Sequence, residues 1–170
     1  MRASGAAAAL RRETRAGATA LTATAGALLV RLAAERAATG RLTHAALADD
    51  ARALVRAQPA MASICWLADA VLRAGDVADA ALRAGDEPDA GAVAAAVARF
   101  EAALGAAAAA VEARAAALVP DEGTVLTLSA SSLVERALGR AHREGRAFRA
   151  VCLEARPRRE GAALDREPDH

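Results

Sequence analysis

Four polar residues near the carboxyl end of the chain have types suited to binding an anion. Three of them are serines in one short segment: Ser129, Ser131 and Ser132. The fourth, Arg156, comes after a second apolar run, residues 148–153. Backbone N–H groups at a helix N-terminus carry partial positive charge, and a guanidinium can pair with a phosphate through two parallel hydrogen bonds. The pattern predicts a phosphate-binding loop, unless the serines only cap a helix and Arg156 is a surface arginine.

A strand, a helix and a second strand must position these residues. Val125 to Leu128 is a short β-favouring run, the apolar residues from Leu133 to Ala141 recur at helical spacing, and Gly145 stands where a helix should end. Phe148 to Leu153 is typical of a buried strand. Such units are right-handed and bind ligands at the carboxyl ends of their strands. We therefore expect the two strand ends, and the polar residues after them, to lie side by side.

The first two-thirds of the chain is helical in pattern throughout. Its longest apolar stripe begins at Val93 and ends at Leu118, and it favours packing inside a helical bundle over a coiled-coil seam, because the flanking positions are mostly alanine rather than paired charges. The segment from Pro120 to Gly123 ends this stripe and predicts a domain boundary. We expect a mostly α protein with a small α/β part: an N-terminal helical bundle, residues 1–119, followed by the first β-α-β unit of an incomplete Rossmann-like parallel sheet, residues 120–170.

Composition narrows the classes of function. The 22 basic and 21 acidic residues give a net charge of +1, so we expect neither direct nucleic-acid binding nor attachment to a membrane. No apolar run approaches the roughly 18–20 residues that span a bilayer. All basic residues are arginine, which excludes Schiff-base lysines and a P-loop lysine. Cys65 and Cys152 predict reduced, buried thiols in the cytoplasm, and no histidine has a second ligand at metal spacing. We expect no metal and no cofactor.

Four segments, in order, carry a resemblance to a known family. They are Arg15-Ala16-Gly17-Ala18-Thr19, Ala57-Gln58-Pro59-Ala60-Met61-Ala62, Leu126 to Ser132, and Glu154-Ala155-Arg156-Pro157 followed by Gly161 and Leu164. Together they resemble the translation initiation factor 2B alpha/beta/delta family, which includes the methylthioribose-1-phosphate and ribose-1,5-bisphosphate isomerases. The resemblance implies that Gly17 and Ala18 lie against a bound phosphate, together with Ser129, Ser131, Ser132 and Arg156. Gly17 and Ala18 could instead only permit close helix packing.

The same resemblance shows departures from the isomerases. Those enzymes have a cysteine at the position of Ser129, an Arg-Pro where this chain has Gln58-Pro59, and a catalytic aspartate on a later strand that this chain does not reach. A serine hydroxyl is far less acidic than a thiol. We therefore expect no catalytic residue.

These departures favour a non-catalytic regulatory or binding protein related to the initiation factor 2B subunits. Such a protein would bind a sugar phosphate or nucleotide monophosphate, and would form a homo- or hetero-oligomer through the family's second half, which we expect to be missing from this chain. The alternatives are an aldose–ketose isomerase of a phosphorylated ribose and a structural helical bundle.

Overall fold

The computed structural model describes residues 3–13, 16–76, 88–128 and 131–153. Its elements, in chain order, are α1 (Ala3–Arg12), α2 (Ala18–Ala37), α3 (His44–Ala57), α4 (Ala62–Asp76), α5 (Ala90–Leu118), β1 (Gly123–Leu128), α6 (Ser132–Arg143) and β2 (Phe148–Leu153). By its contacts the chain divides into two units, residues 1–103 and 104–170, with the division inside α5. The domain boundary predicted at Pro120 to Gly123 stays a prediction.

Leucine and alanine build the core of the first unit. Its fully buried large apolar side chains come from α1 to α4: Leu10, Leu29, Leu47, Leu54, Ile64, Leu67 and Val71. Each such side chain contributes about 1.5–3 kcal/mol by its burial. Alanines such as Ala25, Ala33 and Ala51 fill the positions between them and are also buried. The aromatic ring of Phe100 packs against this core but is only partly buried, so tight helix spacing replaces aromatic volume.

Helices α2 and α5 approach each other closely at Gly26. A β-carbon at that position would lie 2.8 Å from Val97 Cγ1 and 3.2 Å from Glu101 Oε1. These separations are shorter than ordinary side-chain contacts, and Val97 is itself buried. The absence of a side chain at Gly26 therefore permits this contact.

The helix ends follow the signals in the sequence. Thr43 precedes α3 in extended conformation, and its hydroxyl oxygen accepts a hydrogen bond from the Ala46 backbone N–H at 3.1 Å, which makes it a side-chain N-cap. The helix ends at Ala57, immediately before Gln58-Pro59, because the residue before a proline disfavours helical conformation. Gly40, between α2 and α3, has a φ of +60°, a left-handed conformation that glycine adopts without strain.

A partly buried ion pair joins α2 to α3. Arg36 donates from Nε to Asp50 Oδ2 at 2.6 Å and from Nη2 to Asp50 Oδ1 at 2.8 Å. The Asp50 side chain is 1% exposed, and the Arg36 side chain is 30% exposed. The hydrogen bond with Asp50 raises the pKa of Arg36 above its ordinary value. The pair fixes how these two helices are aligned, because both hydrogen bonds require one geometry.

The second unit contains the predicted β-α-β arrangement. Strands β1 and β2 pair in parallel, with Gly123 opposite Phe148 and Leu128 opposite Leu153. One face of this sheet packs Val125 and Phe148 against a small core that includes Ala116, Val119 and Ala141. Across the described residues the fold is thus mostly α with a small α/β part, which confirms the predicted fold class.

Two predictions of burial are corrected. The stripe along α5 is buried at Val93 and Val97, but Val111 is 47% exposed and Leu118 is 83% exposed. The strand predicted to be buried, β2, contains only half-buried and exposed residues. In both cases the described elements do not cover the face of the helix or strand on which the exposed apolar side chains lie.

Helix α5 also has the length and average hydropathy of a membrane span. It has 29 residues and a mean hydropathy of 1.5 over its most apolar window. A search for uninterrupted apolar runs does not find this helix, because Arg99 and Glu101 interrupt its apolar sequence. The surrounding alanines nevertheless raise its mean hydropathy. One such helix, by length and composition alone, is weak evidence for a span.

Candidate functional site

The N-terminus of α2 presents open backbone donors. Gly17 is the N-cap residue, in extended conformation with φ of −70° and ψ of 169°, and it provides no side-chain cap. Gly17 and Ala18 are both exposed. Among the described residues, a β-carbon at Gly17 would meet nothing within 4 Å, so close packing of the described helices does not explain this glycine. The first-turn N–H groups of α2 are positioned to bind an anion.

Two hydroxyl groups join the N-terminal part of α2 to the first turn of α4. Thr22 is 1% exposed, and its Oγ1 donates to the Ala18 carbonyl at 2.7 Å. Thr22 Oγ1 also lies 2.6 Å from Ser63 Oγ. Because the single hydroxyl proton of Thr22 goes to Ala18, Ser63 must donate in the second contact. The structure thus brings together two of the four segments singled out in the sequence, one around Gly17 and one around Pro59.

Gln58 has a structural role at this place. Its side-chain Nε2 donates to the backbone carbonyls of Leu10 at 2.8 Å and Glu13 at 3.2 Å. These contacts attach Gln58 to the last turn of α1 and to the residue that follows it, and the Leu10 carbonyl also accepts from the Glu13 backbone N–H at 3.2 Å. Both N–H bonds of the Gln58 amide are therefore used within the protein. The Glu13 carboxylate in turn accepts from the Ala16 backbone N–H at 3.0 Å, just before α2.

On the sheet, the structure describes part of the predicted phosphate loop. Strands β1 and β2 end in register at Leu128 and Leu153, so their carboxyl ends meet at one edge, as predicted. Ser131 is the N-cap residue of α6 and is half-buried, and Ser132 is exposed. The Ser131 side chain makes no capping hydrogen bond, so simple capping does not account for it. Ser129 and Arg156 lie outside the described residues.

The charges on α6 separate into two ends. Glu135, an exposed acidic residue, lies in the first turn and would oppose a bound anion. At the other end, Arg140 Nε donates to the Glu144 carboxylate at 2.7 Å, and this hydrogen bond lowers the pKa of Glu144. This second pair belongs to the end of the helix far from the serines, so it stabilises the helix terminus and takes no part in the predicted loop.

Comparison with known proteins identifies the family. The model of the Initiation factor 2 subunit family matches residues 14–166, which is most of the chain. The chain belongs to this family. The matched range contains all six residues predicted to bind a phosphate: Gly17, Ala18, Ser129, Ser131, Ser132 and Arg156. Family membership confirms the resemblance found in the sequence, while the roles of these six residues stay predictions.

Solved structures agree with this assignment at the level of the fold. The crystal structure of the translation initiation factor eIF-2B from Pyrococcus horikoshii OT3 matches with a TM-score of 0.74 and 22% sequence identity. The match covers 96% of this chain and 54% of the archaeal chain. This chain therefore spans about half the length of that relative. A search of curated proteins finds no match.

Two features of this family member were not predicted from its sequence. One is the Arg36–Asp50 pair, for which the only signal was an aspartate next to the apolar positions Leu47, Ala51 and Leu54 of an amphipathic helix. The other is the role of Gln58, which no local pattern indicates because its partners, Leu10 and Glu13, lie 48 and 45 residues away in the sequence.

Proposed function

We propose that this chain is a non-catalytic, regulatory or binding member of the Initiation factor 2 subunit family, with a pocket for a sugar phosphate or a nucleotide monophosphate. The main support for the proposal is the set of hydrogen bonds that the Gln58 side chain makes. At the position where the resemblance implies an arginine that pairs with substrate phosphate in the isomerases, this chain has a neutral amide whose donors both bind the end of α1. An amide held in this way supplies neither the charge nor the free donors that the isomerase chemistry uses.

Other features support a retained, weaker anion site. The first turn of α2 has open N–H groups at Gly17 and Ala18, and α6 begins without a side-chain cap. Each helix start offers donors and a partial positive charge to a phosphate. Arg156 would add the guanidinium that makes such a site selective for a charged group. We expect binding to be weak and to decrease with added salt, since Gly17 and Ser132 are each exposed to solvent.

The proposed setting is the cytoplasm and an assembly of several chains. The family description names subunits, and family members form multi-subunit complexes. The family and the archaeal relative are both named for an initiation factor, so a role related to translation initiation is the setting we propose for the chain. Homo- or hetero-oligomerisation would then place the ligand pocket within a regulatory complex.

The catalytic alternative is tested by direct assay. Purified protein is incubated with methylthioribose 1-phosphate and, separately, with ribose 1,5-bisphosphate, and ketose formation is followed by NMR. We expect none above the rate without protein. Turnover that Ser129→Ala abolishes would establish the isomerase and refute the non-catalytic function.

The pocket is tested by calorimetric titration with ribose 5-phosphate and with adenosine monophosphate. Arg156→Ala should weaken binding by about 1.5–3 kcal/mol, the usual size of a charge-assisted hydrogen bond. Arg158→Ala, in the same basic stretch of sequence, is the matched control and should bind as the unmodified protein does. Binding that is equal in both variants would remove Arg156 from the site, and no binding by the unmodified protein would favour the structural helical bundle.

A further inference from the structure

A groove runs between α3 and α4 in the first unit, outside the residues of the proposed pocket. Its volume is about 350 Å³, within the range of cavities that hold small organic groups. Its apolar lining consists of Ala51, Val55, Cys65, Ala68 and Leu72. Charged residues border it: Arg52 and Arg56 along α3, and Asp69 along α4. The groove is thus an open apolar depression bordered by charged residues, and an apolar centre with a polar rim is the arrangement that protein interfaces show.

The only tryptophan of the chain stands beside this groove. Trp66 is 63% exposed. On α4 it directly follows Cys65 and lies one helical turn before Asp69, so it projects from the outer surface of α4 next to the rim. Tryptophan is strongly buried on average in folded proteins, and it is among the residues most enriched at the energetic centres of interfaces. The exposed Trp66 side chain is thus an apolar protrusion adjacent to the apolar groove.

The charged residues around Trp66 and the groove are complementary to one another. Arg56 is exposed and makes no ion pair within the described part of the chain. Asp69 is bound by Arg73 Nε at 2.8 Å, but both side chains are more than half exposed, and an exposed pair of this kind is weak enough to exchange partners. One surface therefore carries an exposed aromatic side chain (Trp66), an apolar groove, a cation available for pairing (Arg56) and a weakly paired anion (Asp69).

We propose that two copies of this chain associate through this surface about a two-fold axis. Each Trp66 occupies the α3/α4 groove of the other copy, and each Arg56 pairs with Asp69 of the other copy. A two-fold axis brings identical patches together, so a patch that contains both members of each contact satisfies itself. One tryptophan buries about 150–250 Å², and two such anchors form the centre of a standard interface of about 800 Å² per copy.

The single tryptophan makes the association directly observable. Trp66 emission and its quenching by acrylamide are measured across a dilution series, and sedimentation equilibrium on the same samples gives the mass. We expect emission to shift to shorter wavelength and quenching to decrease over the concentrations at which the mass doubles. A mass of one copy at every concentration overturns the proposal, and so does a doubled mass with Trp66 still fully accessible to the quencher.

The anchor is tested with a matched pair of truncations. Trp66→Ala should weaken association at least about ten-fold, since a central tryptophan contributes more than the roughly 1.4 kcal/mol that this factor represents. Leu118→Ala removes another exposed apolar side chain, 83% exposed, and should leave the association constant unchanged. Equal effects of the two variants would indicate nonspecific apolar association and overturn the proposal.

The charge pairing is tested by mixing two variants. Arg56→Glu and Asp69→Arg should each weaken self-association, because each places like charges opposite one another across the two-fold axis. In a mixture, the glutamate introduced in one variant faces the arginine introduced in the other, and the second contact of the mixed dimer keeps the native Arg56 and Asp69. The mixed dimer should therefore form with restored affinity. Arg99→Glu, an exposed reversal on α5, is the control. If the mixture associates no better than either variant alone, the pairing is wrong.

Discussion

The Arg36–Asp50 pair should be asymmetric, so that removing the arginine costs more than removing the aspartate. Arg36 donates one hydrogen bond to each oxygen of the Asp50 carboxylate. Asp50 is 1% exposed and cannot reach water, whereas the Arg36 side chain is 30% exposed and can. Arg36→Met, which keeps the aliphatic stem, therefore leaves a buried charge without these bonds. Asp50→Ala leaves a cation that can rehydrate.

The burial of each charged group determines how much each substitution should lower the free energy of unfolding. Removing one partner of a buried pair typically costs about 3–5 kcal/mol, and we expect this range for Arg36→Met. For Asp50→Ala the loss is that of two charge-assisted hydrogen bonds, reduced by rehydration of Arg36, and we expect about 2–3 kcal/mol. The double variant should be more stable than the sum of the single losses predicts, by about 1–3 kcal/mol, because neither charge is then left buried.

Urea unfolding followed by far-ultraviolet circular dichroism measures these differences as free energies of unfolding. Asp49→Ala is the control. Asp49 is adjacent in the sequence but pairs with Arg52 at the surface, with both side chains more than half exposed, and its loss should change stability by less than about 0.5 kcal/mol. The reasoning from burial is refuted if Asp50→Ala destabilises as much as Arg36→Met, or if Asp49→Ala destabilises as much as Asp50→Ala.

Three further predictions concern packing, pH and local stability. Gly26→Ala should destabilise by about 1–3 kcal/mol in urea unfolding, because its β-carbon would lie 2.8 Å from buried Val97, whereas Gly105→Ala, in open space, should stabilise by about 0.5–1 kcal/mol. The pKa of Glu144 is lowered by Arg140, so the stability it contributes is present above its ordinary pKa of 4.5 and is lost as pH falls through the lowered value; Glu144→Gln should be less stable than the unmodified protein at neutral pH and equally stable in strong acid. Hydrogen exchange should be faster in β1 and β2 than in α2, since both strands are edge strands of a two-stranded sheet and only one face of it packs against a small core; equal protection would contradict this.

Much of the secondary structure was predictable because its signals are local. The cap at Thr43, the stop at Gln58-Pro59 and the end of α6 near Gly145 each depend on residues within a few positions. The parallel pairing of β1 and β2 follows from a helix placed between two short apolar runs, which leaves few other topologies. The family assignment likewise came from short segments in a fixed order, and the family match over residues 14–166 confirms it.

The site was less predictable because its contacts join distant residues. The Gly17 segment and the Gln58 segment meet through the Thr22–Ser63 hydroxyl pair, 41 residues apart. Nothing in the sequence near either hydroxyl indicates this contact. The hydrogen bonds of the Gln58 amide to the end of α1 are equally nonlocal. The sequence therefore indicated that an arginine is absent at this position, but not the structural role that the glutamine has. Ser129 and Arg156, on which the phosphate loop depends, stay predictions.

Exposure was the property that the sequence predicted least well, and the reason is physical. A hydrophobic pattern records that a side chain is apolar and on which face it lies, but not which element covers that face. Leu118 on α5 and Leu126 on β1 both fit an apolar pattern, yet they are 83% and 66% exposed. Trp66 is exposed in the same way, and it differs from these leucines by standing beside a groove with complementary charges. That difference is why a partner can be argued for Trp66 from its own surroundings, whereas the leucines alone identify none.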